Sequence, residues 1–245
     1  MKRISEKGSA LFIILIAVVL FAALAYSVAQ MMKGGSPDTI SVEKSRLAGN
    51  EILNYARAMR QAAQNIKISH GCADADISFE ATTGLVGYGH TPAANDMCKL
   101  FHPNGGSLVY QEPVPEWLDI SISPAPALQG QWYFPASTCA VGTGTADATC
   151  NTDTNSNEAL IAVLPYIKKN LCIQINKLLG VVNPGGTPPL ETLNAWPVAA
   201  LKYTGDFTDG EKIDQAGRQV GCFEGAVAST PGPKTYHFFQ VIIPR

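Results

Sequence analysis

Residues 7–30 read KGSALFIILIAVVLFAALAYSVAQ, and a short basic head stands before them with Lys2, Arg3 and Lys7. From Ala10 to Ala29 no side chain carries charge. Rising 1.5 Å per residue, a helix of that length would extend about 30 Å, the thickness of a bilayer's hydrocarbon core. Positive charge clustered ahead of the run predicts a cytoplasmic head and an exported remainder. Two plain readings follow. A signal anchor fits the length. A cleaved secretory signal fits the basic head and the small-residue site Ser27-Val28-Ala29, although such apolar cores usually run about 7–15 residues.

The rest of the chain is long enough for one sizeable domain. Of the 245 residues 46% are hydrophobic and only 16% charged, so the exported part has enough apolar surface to fold. A net charge of −2, with no Lys/Arg cluster beyond the head, argues against nucleic acid as a partner, because phosphate neutralisation needs clustered cations. Six cysteines in an exported chain read as disulfides. Fifteen connectivities are open to six cysteines. Order and spacing suggest Cys72–Cys98, Cys139–Cys150 and Cys172–Cys222. A Cys139–Cys150 bridge would close the loop AVGTGTADAT, contributing on the order of 3 kcal/mol.

After Gln30, Gly34-Gly35 weakens the helix, and Ser36-Pro37-Asp38 suits a fresh N-terminus. Ala48, Ile52, Tyr55, Met59, Ala63 and Ile66 step by four and three along one face, with Arg46, Glu51, Arg57, Arg60 and Gln64 away from it. Turn residues punctuate 68–130, where WLDISI at 117–122 alternates like a half-buried strand, and Gln131–Phe134 is a second short candidate. These imply an antiparallel meander. Over 157–180, Leu160, Leu164, Ile167, Leu171, Ile175 and Leu178 again step by three and four, predicting a helix that Pro165 either kinks or begins. Residues 181–200 read as loop, and Thr235–Ile243 as a central strand.

Chemistry-bearing clusters are sparse. His70, Cys72, Cys98 and His102 could form a tetrahedral zinc site, but a Cys72–Cys98 bridge would remove its thiolates. Asp153, Asn155, Asn157 and Glu158 place oxygens like the opening of a calcium loop; glutamate at the sixth position and Leu164 at the twelfth exclude an EF-hand. Asp206, Asp209, Glu211 and Asp214 make a second acidic loop that a solvated turn would equally require. His70, His90, His102 and His237 belong to no catalytic motif, and Trp117, Trp132, Tyr133 and Trp196 suit a groove or a core. No enzyme signature is present, and no enzymatic role is expected.

The basic leader ending Lys7-Gly8, the small residue Ser9 and the immediate apolar run resemble a type IV prepilin or a type II secretion pseudopilin. The resemblance covers about the first thirty residues. It implies cleavage by a prepilin peptidase between Gly8 and Ser9, and packing of the helix with other pilin-like subunits in a filament. The family usually has glutamate at the fifth mature position, where this chain has Ile13. Certain tip pseudopilins lack that glutamate, so a minor subunit is implied. Several pseudopilins bind calcium in head loops, which keeps Asp153, Asn155, Asn157 and Glu158 as candidate ligands; no other cofactor is expected.

The combined expectation is an α+β fold with a long N-terminal hydrophobic spine helix on an antiparallel sheet, and a disulfide-stapled head with one further amphipathic helix. Its parts are a leader at 1–8, a transmembrane and assembly helix at 9–33, an amphipathic continuation at 34–67 and an exported head at 68–245. The protein would cross the bacterial inner membrane once, its C-terminal domain lying in the periplasm or outside the cell in a filament. The competing expectation is a periplasmic binding or enzymatic domain tethered by a signal anchor.

Overall fold

The computed structural model describes residues 7–32, 37–81, 84–90, 95–144, 150, 157–191, 201–208, 210–226 and 232–245. The chain divides into two units, Met1–Lys44 and Ser45–Arg245. Helix α1 is Lys7–Met32, and helix α2, Pro37–His70, begins where proline suits the first turn. Along α1 the side chains from Phe12 to Ser27 are all exposed.

The second unit is built on a six-stranded sheet. Its strands are β1 (Thr138–Ala140), β2 (Glu158–Leu164), β3 (Leu190–Glu191), β4 (Glu211–Ile213), β5 (Val220–Gly225) and β6 (Tyr236–Ile243). The spatial order is β3-β5-β6-β2-β1-β4. β1–β2, β2–β6 and β5–β6 are antiparallel, whereas β1–β4 and β3–β5 are parallel. The sheet curls far enough for its opposite edges to meet. In β3, the buried Glu191 Oε2 accepts the backbone N–H of Asp214 at 3.0 Å and the Gln215 amide at 2.9 Å, just past β4.

β2 and β6 are buried along their whole length. Leu160, Ala162 and Leu164 face one core with Phe238 and Ile242; Ala159, Ile161 and Val163 face another with Ile213, Phe223, Phe239 and Val241. The first core takes Ile52, Ala56, Met59, Ala63 and Ile66 from α2, and Leu171 and Ile175 from α3 (Lys169–Leu178). A Cβ at Gly49 would stand 3.1 Å from Leu178 Cδ1, so the absent side chain lets α3 approach α2 closely.

Several expectations are corrected here. The fold is not one long apolar spine on an antiparallel sheet. Among the described residues α-helix falls into three separate helices, the sheet is mixed, and the apolar α1 belongs to a different unit from the sheet. Residues 158–164 form a strand, because the run from Ala159 to Leu164, apolar at every position, satisfies any period and its burial on both faces is what a central strand requires. Pro165 and Tyr166, the latter at φ 58°, separate that strand from the ten-residue α3. WLDISI forms no strand; Pro115–Trp117 is a 3-10 turn and Leu118 makes a lone bridge to Ile167.

The placement is corrected as well. Among the described residues no helix is long and apolar enough to cross a membrane, which overturns the single-pass inner-membrane expectation.

Around the sheet, tyrosine hydroxyls serve backbone groups that have no strand neighbour. Tyr133 pairs with Val163 by N–H···O bonds of 2.9 and 2.8 Å, so Trp132 to Phe134 lies along β2. Its other edge donates to side chains: Phe134 N–H to the Tyr88 hydroxyl at 3.1 Å, and Trp132 N–H to that of Tyr110 at 3.4 Å. Tyr55 of α2 accepts from Gln111 N–H at 2.9 Å and donates to Val109 O at 3.1 Å. Burial pushes the Tyr110 phenol up to about 12 and those of Tyr55 and Tyr88 still higher, so all three stay protonated. Tyr88→Phe would leave the buried Phe134 N–H without its acceptor, and chemical denaturation should register a loss of about 1–3 kcal/mol.

Candidate functional site

The candidate cleavage residues Gly8 and Ser9 are the second and third residues of α1; residues 1–6 lie outside the described residues. Past them the helix is uniformly apolar. Phe12, Ile13, Ile14 and Leu15 are 66%, 63%, 60% and 62% exposed. Four successive helical positions point about 100° apart, so those four already cover every side of the rod. Val18, Val19, Leu20, Phe21, Leu24 and Tyr26 continue the same surface. Ser27 does not interrupt it, since its hydroxyl donates back to Ala23 O and Leu24 O at 3.0 and 2.9 Å. A helix apolar on every side is satisfied only when other apolar surface surrounds it. Among the described residues α1 holds the longest run of exposed large apolar side chains.

The cysteines pair as Cys72–Cys98, Cys139–Cys150 and Cys172–Cys222. The first bridge removes both thiolates from the zinc set. His102 is turned elsewhere: its Nδ1 accepts from Asn104 N–H at 3.2 Å and its Nε2 lies 3.7 Å from Asp96. Lys99 bridges Asp96 at 3.0 Å and Glu80 at 3.1 Å. The ammonium group of Lys99 holds the Asp96 carboxyl below its usual range.

Of the candidate calcium ligands, Asp153 and Asn155 lie outside the described residues. Asn157 precedes β2 and Glu158 opens it as a buried residue paired with Cys139. In the second acidic loop Asp209 lies outside the described residues, and Glu211 begins β4. Among the described residues no group of three or more His, Cys, Asp or Glu could hold a metal ion.

The histidines and aromatics are dispersed. His70 ends α2 in solvent, and His90 Nε2 lies 2.9 Å from Ala75 O. His237 is fully buried between Tyr166 and Phe223, with ring centroids at 4.9 and 5.5 Å. Trp132 and Tyr133 are core residues, Trp117 is half-buried and Trp196 lies outside the described residues. An open groove of about 320 Å³ runs past Ala81, Phe101, Pro103 and Ser107–Tyr110, and no set of charged groups converges on it.

No family model, curated protein or solved structure matches the chain. The sequence reading missed β1, β4 and β5, read as loop the residues 181–200 that include β3, and missed Asn176 and Glu191, whose buried amide and carboxylate hold the sheet edges. An amphipathic period reveals burial but not which backbone group a buried amide will meet.

Proposed function

We propose that this protein is a structural subunit of the pilin or pseudopilin kind, of minor-subunit type, assembling through α1 with other subunits of its own or a related kind. The observation that carries this reading is the exposure of apolar side chains on every side of α1. Magnitude favours a many-membered assembly over a dimer. Burying about 400 Å² of apolar surface against a single neighbour contributes on the order of 10 kcal/mol, which the estimated association cost of about 4–15 kcal/mol can cancel. Neighbours on several sides multiply the gain. The Lys7-Gly8-Ser9 junction supports processing by a prepilin peptidase before assembly, and Ile13 offers no carboxylate for a neighbour's amino terminus. Three disulfides support an oxidising compartment for the second unit.

Intact mass of the protein recovered from producing cells tests the reading, together with cross-linking through cysteine introduced at Phe21. The expected mature chain starts at Ser9 and cross-links α1 to α1 in higher oligomers. Gly8→Ala is expected to retain the leader and abolish those cross-links. A wild-type chain that keeps Met1, or that starts after Ala29, and yields no α1 cross-links would remove the proposal.

A further inference from the structure

Helix α3 grips one residue of β5 twice. Cys172 is bonded to Cys222. Asn176, one turn later on the same helix face and fully buried, takes both backbone groups of that same residue. Cys222 N–H donates to Asn176 Oδ1 at 3.0 Å, and Asn176 Nδ2 donates to Cys222 O at 2.9 Å. Nδ2 also donates to Asn183 Oδ1 at 2.9 Å, while Asn183 Nδ2 donates to Ile173 O at 3.3 Å. Both donor hydrogens of the Asn176 amide are therefore used.

The next backbone N–H groups along this edge, in β5 and just past it, are served by Pro189 and by Glu191 of β3. Glu224 N–H donates to Pro189 O at 2.8 Å and Ala226 N–H to Glu191 O at 3.0 Å. Asn176 thus stands where β3 would supply its next pairing, and its amide reproduces a strand neighbour's donor and acceptor. Position 176 falls on the buried side of α3 with Leu171, Cys172 and Ile175, where an apolar residue would pack and asparagine is a poor helix former.

We propose that Asn176 is a positioning residue for the Cys172–Cys222 bridge. It docks α3 on β5 while both cysteines are still thiols, and so selects this pairing among the fifteen open to six cysteines. The covalent step is exchange with a small-molecule disulfide such as glutathione disulfide. The Cys172 thiolate attacks one sulfur of the oxidant and expels one thiolate; the Cys222 thiolate then attacks the mixed disulfide and expels the second. Each cysteine loses its proton, and two electrons pass to the oxidant, which leaves as two thiols. Asn176 touches no reacting sulfur; it supplies the proximity.

The test uses the full-length chain in mild detergent, reduced, unfolded and returned to glutathione buffer. In Cys172→Ala/Cys222→Ala, the backbone amide of residue 222 is expected to remain protected from hydrogen exchange at least ~100-fold over the unfolded chain. Exchange there as fast as in the unfolded chain, with β6 still protected, would overturn the proposal. In Asn176→Ala, peptide mapping is expected to show at least a ~fivefold lower early yield of Cys172–Cys222, with other pairings of those cysteines rising. An unchanged yield would overturn it equally. If Asn176→Ala does not fold, the double cysteine variant alone decides.

Discussion

Lowering the pH from 7 to 4 is expected to cost the second unit roughly 3 kcal/mol through His237 alone. Burial pulls the His237 imidazole down to about 3, against about 6.5 in an unfolded chain. Because the folded value is the lower one, the unfolded chain takes up the proton first. Stability from this residue is therefore complete above about pH 6.5 and is lost as pH falls toward 3, at about 1.4 kcal/mol per unit. The ring is enclosed by Tyr166 and Phe223, with Thr235 Oγ1 2.9 Å from Nε2. His237→Phe keeps an aromatic ring in that place and removes the titration. Denaturation midpoints measured from pH 7 to pH 4 should fall more steeply for the wild type than for this variant. Equal slopes would show that the imidazole is not held neutral.

Phe134→Ala is expected to lower stability by about 3–5 kcal/mol, the range for emptying a buried aromatic site. Phe134 is fully buried and stacked on Phe79 with centroids 4.0 Å apart. Tyr88 meets it edge-on at 5.5 Å and Phe101 lies at 6.2 Å. These rings come from segments on both sides of the Cys72–Cys98 bridge, so Phe134 is where the turn-rich region joins the sheet. Its backbone also donates to Tyr88. The side-chain deletion should loosen the Tyr88 contact, and combined with Tyr88→Phe it should cost less than the sum of the two single changes. Thermal denaturation of the single and double variants measures this directly; a loss under about 1 kcal/mol for Phe134→Ala would mean the site collapses without leaving a void.

How much of this was legible depended on whether neighbours in sequence or neighbours in space decide each element. The stripe through Ile52, Met59, Ala63 and Ile66 was readable because one helix face was buried and the other solvated, which imposes its own period. β6 was readable from an apolar, β-branched and aromatic run ending in Pro244. β2 was not. With both faces covered, EALIAVL carries no period of two, and its leucines happen to continue a spacing that α3 completes. β3 and β4, two and three residues long, are too short to leave a pattern and exist only as partners of β5 and β1. The site was similarly divided. Gly8, Ser9 and the apolar α1 are local features; the partners of Glu191 and Asn176 are residues 23 and 46 positions away.

By itself, the order of residues determined an apolar helix with no polar side and an amphipathic helix after it; it suggested a disulfide pairing without choosing among the fifteen connectivities. Each helix rests on interactions between residues near one another along the chain, whereas the bridges join cysteines 26, 11 and 50 residues apart. Only the tertiary structure decided that the sheet is mixed, that residues 158–164 form its buried centre, and that a carboxylate and an amide complete its edges. Backbone hydrogen bonds between strands are indifferent to side-chain identity, so their partners are chosen by packing across the whole unit.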